Sequence, residues 1–353
     1  MTSWIMMKML KFNKKLFINK FNNFKLMFFM TLILGTMISI NSNTWINAWI
    51  GMEINLMSFI PLMFNFKKSS NSIMMYFITQ ALASSLILFS TLMMKIETNL
   101  VKLNMMFSMI QLSLLIKLGA APMHWWSPKT FINLNWKMGF IFLTWQKIAP
   151  LILLTSSLNN NLLIYMSMIS SIIMGALLGM NQSLIKFVMI YSSINHTGWM
   201  LLALMLNTKL MIFYFMIYTL TNFMICINMN NSNFNYINQL FKINNQNIYI
   251  KMLSISMFLS LSGMPPFLGF MPKIMILIIA LNNNLYLESL LLIITATLTL
   301  SFYMNPMLSM FLTMKLSMKW NNKISYIHKS MQMLILINLL ISLMILPFLM
   351  KLL

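Results

Sequence analysis

Apolar runs long enough to span a bilayer recur along the chain, each closed by a short cluster rich in Lys, Asn or Ser. They fall at about 25–41, 45–64, 72–94, 103–121, 138–157, 161–180, 184–206, 209–229, 250–282, 286–312 and 330–350. About 30 Å of hydrocarbon takes roughly 20 apolar residues of helix. The pattern therefore predicts about eleven transmembrane helices joined by short loops, an all-α polytopic membrane protein. The ninth run is too long for one straight span and contains Gly263, Pro265, Pro266, Gly269 and Pro272. Proline removes backbone donors and clashes with the preceding turn, so this run reads as one span broken in its middle.

A second break has the same character. The fourth run ends in Leu118-Gly119-Ala120-Ala121-Pro122 just after Lys117, and the ninth breaks at Gly263-Met264-Pro265-Pro266 just before Lys273. The breaks lie five spans apart, and five is odd. Spans one to five and six to ten are thus expected to form two inverted repeats with broken helices at corresponding positions. The expected division is a basic amphipathic segment at 1–25, a first five-helix repeat at 26–157, a second, inverted one at 158–312, and a loop with a C-terminal transmembrane helix at 313–353. The leader has the amphipathic basic character of a transit peptide but no arginine, and it reads as a retained surface segment.

Composition restricts the setting. A chain that is 59% hydrophobic and 8% charged, with mean hydropathy +0.80, has too few polar groups to cover a folded surface in water. The formal charge of +21 rests on 24 lysines and no arginine. They sit in loops between apolar runs rather than along a groove, which argues against nucleic acid. Seventeen lysines fall on the side of the N-terminus, four (Lys95, Lys102, Lys209, Lys351) on the other, and three inside predicted spans. Positive residues are retained on the inner side, so the N-terminus is expected inside. The lack of Asp and the abundance of Met, Ile, Asn, Phe and Lys follow A/T-rich codons and point to an organellar genome. The single cysteine, Cys226, excludes an internal disulfide and a thiolate-ligated cluster.

Candidate chemistry is confined to a few ionisable residues. The three acids are Glu53, Glu97 and Glu288. Glu97 and Glu288 read as interface charges, whereas Glu53 lies eight residues into the second run, roughly 12 Å deep at 1.5 Å per residue. A charge at that depth is costly and usually functional, although a structural ion pair is the plainer alternative. Lys117, Lys147 and Lys273 are the lysines inside spans. Removing an ammonium from water favours loss of its proton, and a carboxylate about 4 Å away restores the charge by about 4 kcal/mol at an effective dielectric near 20. Making and breaking one Glu–Lys pair can therefore load or unload a proton on a neighbour. His196 stands in Tyr191-Ser192-Ser193-Ile194-Asn195-His196-Thr197-Gly198, a polar stripe in an apolar helix. That stripe suits proton relay, and a hydrogen-bonded packing histidine is the alternative. His124 and His328 lie near loops and read as structural. The chain carries no Gly-rich nucleotide loop, metal-spaced Cys/His cluster or nucleophile elbow.

At these residues the chain resembles a known family, subunit 2 of mitochondrial NADH dehydrogenase, related to antiporter-like subunits of bacterial complex I and to cation/proton antiporters. The resemblance rests on five blocks in the family's order: Trp49 to Leu56, Leu115 to Trp126, Thr144 to Pro150, Ser192 to Met200 and Ser262 to Lys273. It implies that Glu53 and Lys117 form a modulating pair, that Lys147 is the central proton carrier and that Lys273 lies on the exit side. It implies eleven helices, three fewer than in bacterial relatives, and no cofactor in this chain, with FMN, iron–sulfur clusters and ubiquinone in partner subunits. It further implies other membrane-arm subunits of complex I as partners, antiporter-like neighbours among them, and lipids such as cardiolipin. The expected location is the mitochondrial inner membrane, with the N-terminus in the matrix and the C-terminus in the intermembrane space. A free-standing cation/proton antiporter and a structural scaffold without a proton path are the rival readings. The lysine-rich leader departs from the family pattern.

Overall fold

The computed structural model describes residues 24–64, 70–96, 99–158, 162–232, 234–240 and 248–314. Among these, every regular element is a helix: α1 (Phe24–Ile40), α2 (Trp45–Met63), α3 (Ser70–Ile96), α4 (Leu100–Leu118), α5 (Trp126–Phe131), α6 (Trp136–Leu143), α7 (Trp145–Thr155), α8 (Leu162–Gly179), α9 (Ile185–Leu206), α10 (Thr208–Ser232), α11 (Ile237–Leu240), α12 (Ile248–Ser262), α13 (Phe270–Asn282) and α14 (Tyr286–Met314). Ten of the eleven predicted spans coincide with α1, α2, α3, α4, α6 with α7, α8, α9, α10, α12 with α13, and α14. The eleventh span, at 330–350, lies outside the described residues, as does all but the end of the 1–25 segment.

The helices group into two compact units, Met1–Ser113 and Leu114–Leu353. This division follows packing and is separate from the repeat boundary expected at 157/158. In the first unit, α1 and α2 touch backbone to backbone. A Cβ on Gly51 would stand 2.6 Å from the Ser39 amide nitrogen, and one on Gly35 would stand 2.9 Å from that of Asn55. Lipid tails are as apolar as leucine, so close packing through small residues is what holds such helices together. Thr44 caps α2 by accepting from the Asn47 amide at 3.4 Å. Phe59 of α2 meets Tyr76 of α3 edge-on, with centroids 5.5 Å apart.

The second unit is built around α9. Every residue from Ser192 to Leu204 is buried. Seven described helices are long and apolar enough to cross a membrane by themselves, and α9 is not among them. Its Ser, Asn, His and Thr side chains lower its hydropathy, and its neighbours rather than lipid surround them. The closest approach is to α8, where a Cβ on Gly175 would lie 2.6 Å from the Asn195 amide nitrogen and one on Gly198 would collide with Ile172. On one side of the bundle, Lys186 at the start of α9 donates to the Ile132 and Leu134 carbonyls at 2.8 and 2.7 Å. It thereby fixes the turn between α5 and α6, and with it the start of α6.

Both expected breaks are present and share one geometry. Gly119 and Gly263 have φ of +68° and +79°. After α4, the Gly119 amide donates to Ile116 and the Ala120 amide to Leu115, at 3.0 and 3.1 Å. After α12, Gly263 donates to Ser260 and Met264 to Leu259, at 3.2 and 3.3 Å. This is the Schellman ending, which closes a helix on a left-handed residue that glycine adopts without cost. A third break was not expected. The span at 138–157 is interrupted at Thr144 (φ −115°, ψ −68°), between α6 and α7. There the Thr144 hydroxyl donates to the Phe140 carbonyl at 2.7 Å, and the Lys147 amide reaches back to the Thr144 carbonyl at 3.1 Å.

Candidate functional site

Lys147 stands in the first turn of α7, directly after the Thr144 interruption, and is buried. Its ammonium donates to the Ser193 carbonyl of α9 and to the Tyr218 hydroxyl of α10, both at 3.3 Å. It also lies 5.1 Å from the centre of the Tyr218 ring, a cation–π distance. No carboxylate takes part in these contacts.

His196 of α9 occupies the next position. Its Nδ1 lies 2.7 Å from the Tyr214 hydroxyl, and its ring centre is 5.2 Å from that of Tyr218. His196 and Lys147 both meet Tyr218, and Trp199, one turn after His196 on α9, faces Lys273, so α9 brings the imidazole near both lysines. Lys273, near the start of α13, donates to the Ser262 carbonyl at 2.8 Å and lies 5.7 Å from the Trp199 ring centre. The carbonyls at the end of α12 form the negative end of a helix dipole, which favours a cation. The break makes room for it, since a Cβ on Gly263 would lie 2.9 Å from the Lys273 ammonium.

Lys117 is buried in the last turn of α4, two residues before Gly119. The preceding carbonyl, that of Ile116, accepts from the Trp126 indole at 3.2 Å. Lys117 thus stands in the last turn of the helix before one Gly-capped break, whereas Lys273 follows the other break and reaches back to the helix end before it. His124, in the turn after α4, is buried next to the Pro122 carbonyl at 3.2 Å. Burial holds its imidazole below the ordinary value, and the carbonyl opposes that. Glu53 is half-buried on α2, in the first unit. Glu97 lies outside the described residues. Glu288, expected as an interface charge, is half-buried and accepts from the Tyr165 hydroxyl at 2.6 Å. Among the described residues no group of three or more His, Cys, Asp or Glu side chains could hold a metal ion.

The residues that the sequence reading missed are Tyr214 and Tyr218. A signal for them exists: Tyr214, Tyr218 and Asn222 follow one another at intervals of four in an apolar run, hence on one helix face. Several polar atoms around this cluster are buried without a protein partner: Asn195 Oδ1, the Trp199 indole, Asn222 Nδ2 and the Tyr303 hydroxyl. Such groups are ordinarily satisfied by water.

Residues 42–302 match the family described as NADH:quinone oxidoreductase/Mrp antiporter, transmembrane, which sets the class as an antiporter-like membrane subunit. The NADH-ubiquinone oxidoreductase chain 2 of Anopheles gambiae is 43% identical over 85% of this chain and 91% of its own length. That of Aedes aegypti is 38% identical over 88% and 93%. The chain belongs to the NADH-ubiquinone oxidoreductase chain 2 family. Among solved structures, a chain of respiratory complex I from Thermus thermophilus superposes with a TM-score of 0.77 at 18% identity, covering 92% of this chain and 79% of that one. A chain of the membrane-bound sulfane sulfur reductase, an archaeal respiratory membrane complex, gives 0.80 at 18% identity, over 91% and 73%. At such identities these two likenesses concern the fold.

Proposed function

We propose that this chain is a membrane-arm subunit of NADH:ubiquinone oxidoreductase in the mitochondrial inner membrane, and that it conducts protons along Lys117, Lys147, His196 and Lys273. One observation carries the reading: Lys147, His196 and Lys273 are buried in one unit, with Lys147 and His196 both against Tyr218 and Lys273 against Trp199, one turn along α9 from His196. Buried ionisable groups in membrane helices usually mark a proton or ion pathway. Tyr218 links Lys147 to the His196 ring, and the Tyr214 hydroxyl is bonded to Nδ1 of that ring, so hydroxyls and imidazole offer donors and acceptors in succession. The orphaned polar atoms nearby supply anchoring points for bridging water.

In this reading Lys147 is the central carrier, and Glu53 and Lys117 are the charges that modulate it. The two Gly-capped breaks mark corresponding positions of inverted repeats at 26–157 and 158–312. Redox chemistry belongs to partner subunits that hold FMN, iron–sulfur clusters and ubiquinone, and this chain contributes no redox centre. The N-terminus faces the matrix and the C-terminus the intermembrane space.

Replacing Lys147 with Met keeps its length and packing and removes the titrating group, so the complex is expected to assemble. Pumping should fall by about 10²-fold, the lower range for a positioned proton-transfer group. Lys147→Arg should fail as well, because a guanidinium keeps its proton. The measurement is the ratio of protons translocated to electrons transferred in membranes that contain the assembled complex. A normal ratio in Lys147→Met would make the chain a scaffold and place the path in its neighbours.

A further inference from the structure

On the outer side of α6 and α10 lies a groove with a cavity of about 520 Å³, within the range of ligand-sized clefts. Its chemistry is graded. Lys137, in the first turn of α6, stands at one end with Asn230 and Asn231, in the last turn of α10. Phe140 and Phe223 form the walls further in, their rings edge-to-face with centroids 5.4 Å apart, and Cys226 lies buried among the lining. From Asn231 to Phe223 is eight residues, about 12 Å along the helix. Since α6 with α7, and α10, are long and apolar enough to cross a membrane, the polar end sits at the membrane boundary and the aromatic end in the hydrocarbon.

Lys137 is exposed, and no acid stands anywhere between Glu97 and Glu288. Glu288 itself opens the first turn of α14, where Tyr165 engages it. The Lys137 ammonium therefore stands at the groove with no carboxylate of this stretch of chain to compete for it. We propose that the α6–α10 groove binds an anionic phospholipid, its phosphate on the Lys137 ammonium and the Asn230 and Asn231 amides, one acyl chain against Phe140 and Phe223. An ammonium and two side-chain amides supply donors to phosphate oxygens, and anionic lipids are drawn to basic residues at the membrane surface. The aromatic wall gives a chain surface that a soluble anion would not use.

The seat borders the Thr144 interruption, because the Phe140 carbonyl is the acceptor for both the Thr144 amide and its hydroxyl. An acyl chain held on Phe140 thus packs on the turn that precedes Lys147. The lipid site itself does not depend on proton conduction by Lys147, and its test does not read pumping.

The complex containing this chain is reconstituted in phosphatidylcholine vesicles with a diazirine-bearing phosphatidylglycerol, and labelled peptides are mapped after illumination. Label is expected on peptides spanning 137–144 and 223–231, and it should be displaced by unlabelled phosphatidylglycerol but not by extra phosphatidylcholine. Lys137→Gln should reduce it about tenfold, the loss of one charge-assisted hydrogen bond. Cys226→Phe, which fills the cleft and keeps Lys137, should abolish it. Equal labelling by a diazirine phosphatidylcholine, unchanged labelling in Lys137→Gln, or cross-linking of the groove to a neighbouring subunit in place of lipid would overturn the assignment. Lys137→Gln decides the question whether or not the Cys226→Phe complex assembles.

Discussion

The buried ammoniums of Lys147 and Lys273 meet carbonyls and ring faces rather than carboxylates. Lys147 has the Ser193 carbonyl and the Tyr218 ring, and Lys273 has the Ser262 carbonyl and the Trp199 ring. Neither arrangement neutralises the charge. The tyrosines differ in what they hold. Tyr214→Phe leaves His196 Nδ1 without its 2.7 Å partner, and an unsatisfied buried polar group costs about 1–3 kcal/mol. Tyr218→Phe removes the 3.3 Å contact but leaves Lys147 the Ser193 carbonyl and a ring face. Thermal unfolding of the assembled complex should show Tyr214→Phe destabilised by that cost of about 1–3 kcal/mol, and both variants should pump more slowly. Lys147, His196 and Lys273 were legible in the sequence because an ionisable residue stands out in an apolar run. The tyrosines were not, since tyrosine is an unremarkable membrane-helix residue until its spacing is set against a histidine on another helix.

At the scale of elements, the two Gly-capped breaks look alike in the backbone but differ in what faces the missing side chain. A Cβ on Gly119 would meet the Trp126 ring at 3.3 Å, whereas one on Gly263 would meet the Lys273 side chain at 2.9 Å. Alanine at either site bears the left-handed backbone cost of about 1–2 kcal/mol. Gly119→Ala and Gly263→Ala should therefore lose similar stability by thermal unfolding. Gly263→Ala alone should also displace the Lys273 ammonium from the Ser262 carbonyl and depress the proton-to-electron ratio. Equal ratios in the two variants would detach Lys273 from the path. The break at 263–269 could be read from its glycines and prolines. The interruption at Thr144 could not, because neither residue type marks it and a threonine hydroxyl bonded to the Phe140 carbonyl leaves no trace in hydropathy.

At the scale of the molecule, the lysine distribution gave an orientation and helix lengths gave ten of the eleven spans. The division after Ser113 was not legible, because it depends on which helix faces touch, and in lipid those faces are marked by small residues rather than by apolarity. Orientation can be tested on two exposed lysines assigned to opposite sides, Lys129 and Lys209. A membrane-impermeant amine reagent applied to inside-out vesicles should modify Lys129 and spare Lys209, and the reverse should hold in mitoplasts. The opposite pattern would invert the topology. Because no acid stands between Glu97 and Glu288, the charges that come and go around His196 share one sign. Its ring shares Tyr218 with Lys147 and lies one turn along α9 from Trp199, on which Lys273 rests, and like charges repel strongly where the dielectric is low. A proton settling on one of these groups makes a second on its neighbour costly, so an arriving charge drives the previous occupant onward. On the path proposed here, traffic would move in single file, by displacement, and would run backward when the crowding at its two ends is reversed.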